Sequence, residues 1–158
     1  MTSKTPEIVI SDTSCLIVLK NIGGLDLLRR LYHSILITPE VAKEFGLSLP
    51  DWIKIREVKD WDKLARLNEV LDLGEASALT LAMELHDCLV LLDDLKGRKF
   101  AEKWNIPYTG VLGILVKAKN THLIPEIRPM LERLLETNFR ISPRIVTEVL
   151  KATGEYLS

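Results

Sequence analysis

The stretch EIVISDTSCLIVLKNIGG, residues 7–24, decides the fold. Glu7–Ser11 is a short β-branched run, the mark of a buried strand. Asp12, Thr13 and Ser14 follow at once, and Asp and Ser are natural helix N-caps. CLIVLKNI then runs into Gly23-Gly24, and glycine is a natural helix stop. The reading is a strand, a sharp turn and a helix.

The same unit recurs along the chain. LDLLRRLY (Leu25–Tyr32) is amphipathic at helical spacing, and Ser34–Thr38 reads as a second strand. A helix then starts at Thr38-Pro39 and runs through VAKEF, with Pro39 at its first position. Ser48–Asp60 is less regular, and IKIREV within it suits either an edge strand or a loop ladder. Helical pattern resumes at Asp60, and Gly74-Glu75 opens the helix EASALTLAMEL. Cys88–Leu92 is a further buried strand, ending in Asp93-Asp94. A short basic helix, KGRKFAEKW, leads to a last strand at Ile106–Gly110 and the helix VLGILVKAKN. Strand and helix alternate from Glu7 to about Lys119, which predicts a three-layer α/β fold: a parallel sheet flanked by helices. Pro125–Thr137 and Ser142–Thr153 add amphipathic helices, so residues 120–158 read as a helical C-terminal extension. With no internal repeat or Pro/Gly-rich linker, residues 1–158 are expected to form one domain.

Bulk composition narrows the function. The chain carries 21 basic and 22 acidic residues, a net charge of −1, which excludes a protein that holds nucleic acid by bulk charge. Cys15 and Cys88 each sit in an apolar run, where thiols behave as small hydrophobes, and two cysteines make no disulfide framework. MTSKTPE holds no long apolar segment, and no apolar run approaches the roughly 20 residues of a membrane helix. These features point to a cytoplasmic protein with no membrane partner. His33, His86 and His122 are widely separated and show no zinc-ligand spacing. Neither a phosphate loop nor a nucleophile elbow is present.

Acids fall where strands end and helices begin, which is where chemistry collects in open parallel sheets. Asp12 follows the first strand, and Asp93 follows the run CLVLL. Glu44 lies in the helix after the second strand, and Glu75 at the start of its helix. Carboxylates converging on one point repel unless a cation sits between them, and hard cations such as Mg²⁺ and Mn²⁺ favour all-oxygen sites. Taken singly, each acid has a plainer use. Asp before a helix is usually an N-cap, and an acid in a first turn complements the helix dipole.

The stretches IVISDTSCLIVL, LITPEVAKEF, LDLGEASALTLA, LVLLDDLKGRKFA, IPYTGVLGILVKAK and FRISPRIVTEVLKATGE together resemble the PIN-domain family, in its branch of prokaryotic proteins related to the VapC toxins. The resemblance spans essentially the whole chain, and the intervals agree: 32 residues from Asp12 to Glu44 and 18 from Glu75 to Asp93. It implies that Asp12, Glu44, Glu75 and Asp93 are catalytic acids that bind Mg²⁺ or Mn²⁺. It further implies an endoribonuclease acting on single-stranded RNA or an RNA loop, with a small antitoxin protein as partner. Two positions depart from the toxin pattern. Glu75 stands where Asp is common, and Leu92-Asp93-Asp94 replaces a Thr-x-Asp run. Asp94 is thus the alternative metal ligand to Asp93; with Asp93 at the strand end, Asp94 caps the next helix.

Around these acids, Thr13 and Ser14 are candidates to hydrogen-bond the Asp12 carboxylate or to cap the helix locally. Lys96, Arg98, Lys99 and Lys103 form a basic patch that either holds RNA phosphates, with Lys96 and Arg98 nearest the acids, or is a solvated helix face. Gly110 and Gly113 suit a close strand-to-helix approach. The surplus of amphipathic helices points to a homodimer built partly on LDLLRRLY and the C-terminal helices. Two other functions share this pattern: a catalytically silent PIN-fold module that binds RNA or protein, and a flavodoxin-like phospho-transfer domain. The second would place an acid pair after the first strand, where this chain has Asp12-Thr13.

Overall fold

The computed structural model describes residues 8–157. Glu7 and the stretch MTSKTPE lie outside them. Among the described residues five strands form: β1 (Ile8–Ser11), β2 (Ile35–Ile37), β3 (Ile53–Ile55), β4 (Cys88–Leu91) and β5 (Tyr108–Thr109). All pair in parallel, in the order β3-β2-β1-β4-β5. IKIREV resolves as an edge strand of three residues, of which only Ile53 is buried. A parallel strand needs cover on both faces, and the run IVIS supplies it. Val9 packs into one apolar cluster and Ile10 into the other, as the two-residue period of a strand requires.

The first face is covered by α1 (Thr13–Asn21), α2 (Leu25–Tyr32), α3 (Pro39–Phe45) and α7 (Val111–Asn120), with α8 (Arg128–Leu135) and α9 (Pro143–Ala152) behind. The second face is covered by α4 (Trp61–Asn68), α5 (Leu73–Leu85) and α6 (Leu95–Lys103). α1 starts with Asp12 accepting from the Cys15 N–H. α3 starts with Thr38 accepting from the Val41 N–H, with Pro39 in its first turn. α5 is buried along nearly its whole first half, which explains its apolar all-round sequence.

The amphipathic stripe of α2 is satisfied within the chain. Leu27, Leu28, Leu31 and Tyr32 are all buried in the first cluster. Leu131 and Leu134 of α8, and Val149 and Leu150 of α9, are buried too. The surplus of helices is therefore spent on covering one face of the sheet. Trp52 packs on the first cluster and Trp104 stacks on Phe100 at 5.1 Å, whereas Trp61 is largely exposed. The three histidines all occupy positive-φ positions where helices end. Among the described residues no helix is long and apolar enough to cross a membrane.

Leu28 is fully buried, so Leu28→Ala should lower the unfolding free energy by about 2–5 kcal/mol in urea denaturation. A loss under about 1 kcal/mol would mean that the α2 stripe faces outward.

Candidate metal and nucleic-acid site

The strand order reverses its direction of growth between β1 and β4, and ligand crevices form at such a point. Ser11 is level with Leu91, and the Asp12 N–H donates to the Leu91 carbonyl at 3.1 Å. The chain therefore delivers Asp12 and Asp93 to one rim, with α3 and α5 bringing Glu44 and Glu75 from its side.

Asp12, Thr13, Ser14, Glu44, Asp72 and Glu75 line one gap of about 30 Å³. That is room for a water molecule or a small ion, and little else. Asp12 is almost fully buried, and one carboxylate oxygen accepts from the Cys15 N–H at 2.9 Å. It is both an N-cap and a wall of the gap. Burial pushes its carboxyl up to about 7, against that hydrogen bond, and the charges of Asp93 and Asp94 add to the rise. Glu75 is also buried and accepts no hydrogen bond from the described residues. Burial, then the charges of Asp94, Asp12 and Asp72, push it up to about 8, with Lys96 opposing.

Glu44 is exposed, and it accepts from the Thr13 hydroxyl at 3.0 Å. The Thr13 hydroxyl thus holds Glu44 and not Asp12. Gly74 makes this possible: a Cβ there would strike the Glu44 carboxylate and stand 2.6 Å from the Thr13 hydroxyl. Ser14 is exposed at the edge of the gap.

Asp93 is turned to the side of the gap. One oxygen accepts from Arg98 at 3.0 Å, and the other from the Cys15 thiol and the Val111 N–H, both at 3.1 Å. Arg98 also donates to the Leu92 carbonyl and lies over the Tyr108 ring. Asp94 is exposed and caps α6 through the Lys96 N–H at 2.7 Å. Lys96, Lys99 and Lys103 are exposed along the same helix.

Asp12, Glu44 and Glu75 therefore share one gap, while Asp93 is joined to it through Cys15. Among the described residues, no group of three or more His, Cys, Asp and Glu side chains forms a ready cage for a metal ion. The donor chemistry nonetheless fits a hard dication. The gap is ion-sized and oxygen-lined, and the buried Asp12 and Glu75 each bear the charge of neighbouring acids, which a cation would relieve. Sequence reasoning missed Asp72, hidden at a position where Asp is an ordinary cap, although its side chain caps nothing. It also missed Cys15, whose apolar neighbours disguised a thiol aimed at Asp93.

Both raised carboxyls stay protonated in the folded chain at pH values where the unfolded chain has released the proton. The folded state thus holds more protons between about pH 4 and pH 8, and metal-free stability should fall as pH rises through that window. At roughly 1.4 kcal/mol per pKa unit, the decline amounts to several kcal/mol, and Asp12→Asn should remove the share of Asp12 and leave that of Glu75. Chemical denaturation in EDTA from pH 5 to pH 8 measures this; a flat wild-type profile would contradict the mutual burial of these acids. Gly110→Ala should cost about 1–3 kcal/mol, because a Cβ there meets both Asp93 and Arg98.

A family model described as a PIN domain matches residues 8–155. No curated protein matches the chain. The match covers both apolar clusters, the rim and every residue of the gap, and the chain belongs to the PIN-domain family.

Proposed function

We propose that this PIN domain is an endoribonuclease that depends on Mg²⁺ or Mn²⁺ and hydrolyses phosphodiesters of single-stranded or looped RNA. PIN domains are generally nucleases. The observation that carries the finer reading is the ion-sized gap walled by Asp12, Glu44 and Glu75. These three would hold the ion, with Asp93, or Asp94 in its place, as the fourth acid. When bound, such an ion supplies a water of lowered pKa and positive charge opposite the phosphate. The chain's own groups set the stage. The Cys15 N–H fixes the Asp12 carboxylate, and the Thr13 hydroxyl fixes Glu44. Arg98, held by Asp93 and Leu92, presents a positive edge beside them, and Lys96 adds a second.

A catalytically silent module that binds RNA or protein is the second reading. It draws on Asp93, whose two oxygens are both occupied by protein donors. A small antitoxin protein, a homodimer and a cytoplasmic location complete the first reading. The free, buried thiols Cys15 and Cys88 suit a reducing compartment.

Asp12→Asn decides between the two. Asn caps a helix nearly as well as Asp, so the metal-free fold should be as stable or more so. The rise in Tm that Mn²⁺ gives the wild type should shrink, because only binding to the folded state stabilises it. Cleavage of a fluorogenic RNA should fall by on the order of a hundredfold or more. Equal Mn²⁺ shifts in both proteins would remove Asp12 from the metal site, and unchanged cleavage would remove it from catalysis.

A further inference from the structure

Beside the acid gap lies a second hollow that the metal reading does not use. It is a groove of about 480 Å³ between the β5–α7 turn and the segment that leads into α9. Its volume falls in the range of small-ligand sites. Asp93 and Arg98 form the wall on the side of the rim, which places the groove next to the acids. We propose that this groove holds one unpaired nucleotide of the RNA strand, next to the phosphate that faces the acids. The proposal rests on the ribonuclease reading and extends it to a residue segment outside the strand-helix alternation.

Three features match a nucleotide. The Phe139 ring, Leu112 and Ile145 give the groove an apolar wall, which suits the face of a base regardless of sequence. Arg140 stands at the rim, exposed, and pairs with no carboxylate among the described residues. It differs in this from Arg98, whose charge Asp93 already answers. The groove thus offers one uncommitted guanidinium, the group whose fork matches phosphate. Finally, the acids repel a polyanion at the gap, so a strand bound there gains from attractive contacts nearby, and Arg140 adds one on the groove side to those of Arg98 and Lys96.

The experiment follows a labelled, unpaired oligoribonucleotide by fluorescence anisotropy in EDTA, where no cleavage confuses the binding. Arg140→Ala is an exposed change that leaves the packed residues untouched. It should weaken binding about tenfold. The slope of log K against log salt should fall by about 0.7, one phosphate's share on a single strand. Arg140→Lys, which keeps the charge, should keep the slope. In the cleavage assay Arg140→Ala should raise KM and leave kcat unchanged, as befits a contact made equally before and during reaction.

The two readings fail separately. RNA binding that depends on Arg140, with no cleavage by the wild type in Mn²⁺, sustains the groove and ends the ribonuclease. Cleavage with the same KM and salt slope in Arg140→Ala sustains the ribonuclease and overturns the groove. That second result is also the one expected if the groove takes a peptide. A wild type that does not bind the oligonucleotide overturns the groove as well.

Discussion

Two carboxyl groups, Asp12 and Glu75, are held out of water on one rim of this sheet, and the charge of Asp12 reaches Glu75. A buried carboxylate must be paired, hydrogen-bonded, bound to a cation or neutral, because its desolvation is otherwise too costly. The chain answers this unequally. Asp93 receives a guanidinium, a thiol and a backbone N–H, and Asp12 a single N–H. Glu75 receives nothing from the described residues. The shortage of partners falls where the gap lies. An arrangement that leaves stability unclaimed in the metal-free chain is the kind that a bound cation completes.

The packing around the rim is what makes that arrangement tenable. β1 is the central strand and β4 its inner neighbour, each sealed between two apolar clusters, so the turns that follow them are anchored from both sides. Gly74 and Gly110 then let side chains come closer than a Cβ would permit. One admits the Glu44 carboxylate and the other the Asp93–Arg98 pair. Asp93 thereby acts as a hinge between the two hollows: it leans on Cys15 toward the gap and on Arg98 toward the groove.

Much of this was legible in the order of residues. β1, β2 and β4 announced themselves as short apolar runs ending in caps, and alternation alone set the layers. Ile53–Ile55 was ambiguous because an edge strand buries little, and only one of its three side chains is buried. The LDLLRRLY stripe was legible as a helix but silent on its partner, since an amphipathic face packs as well on its own sheet as on another copy. Within the site, the acids were visible by position, yet nothing in their spacing told that Thr13 would serve Glu44 or that Asp93 would turn aside. Those outcomes depend on tertiary neighbours: Gly74 from a distant helix, and Val111 across the rim.

Charge divides the rim into two unlike halves. With a net charge of −1, the protein has no long-range field to draw in a polyanion. Attraction must therefore be local, and the gap repels until its acids are neutralised. The groove joins a cation paired with no acid among the described residues, Arg140, to apolar side chains that offer a face to a base. A strand held there gains stacking energy that salt does not screen, along with one screened phosphate contact. Recognition built in this way depends weakly on ionic strength and strongly on the strand being unpaired, since a base in a duplex has no free face to offer. On the proposed ribonuclease reading, a preference for unpaired RNA follows from the wall of the groove, and the acids beside it need contribute nothing to selectivity.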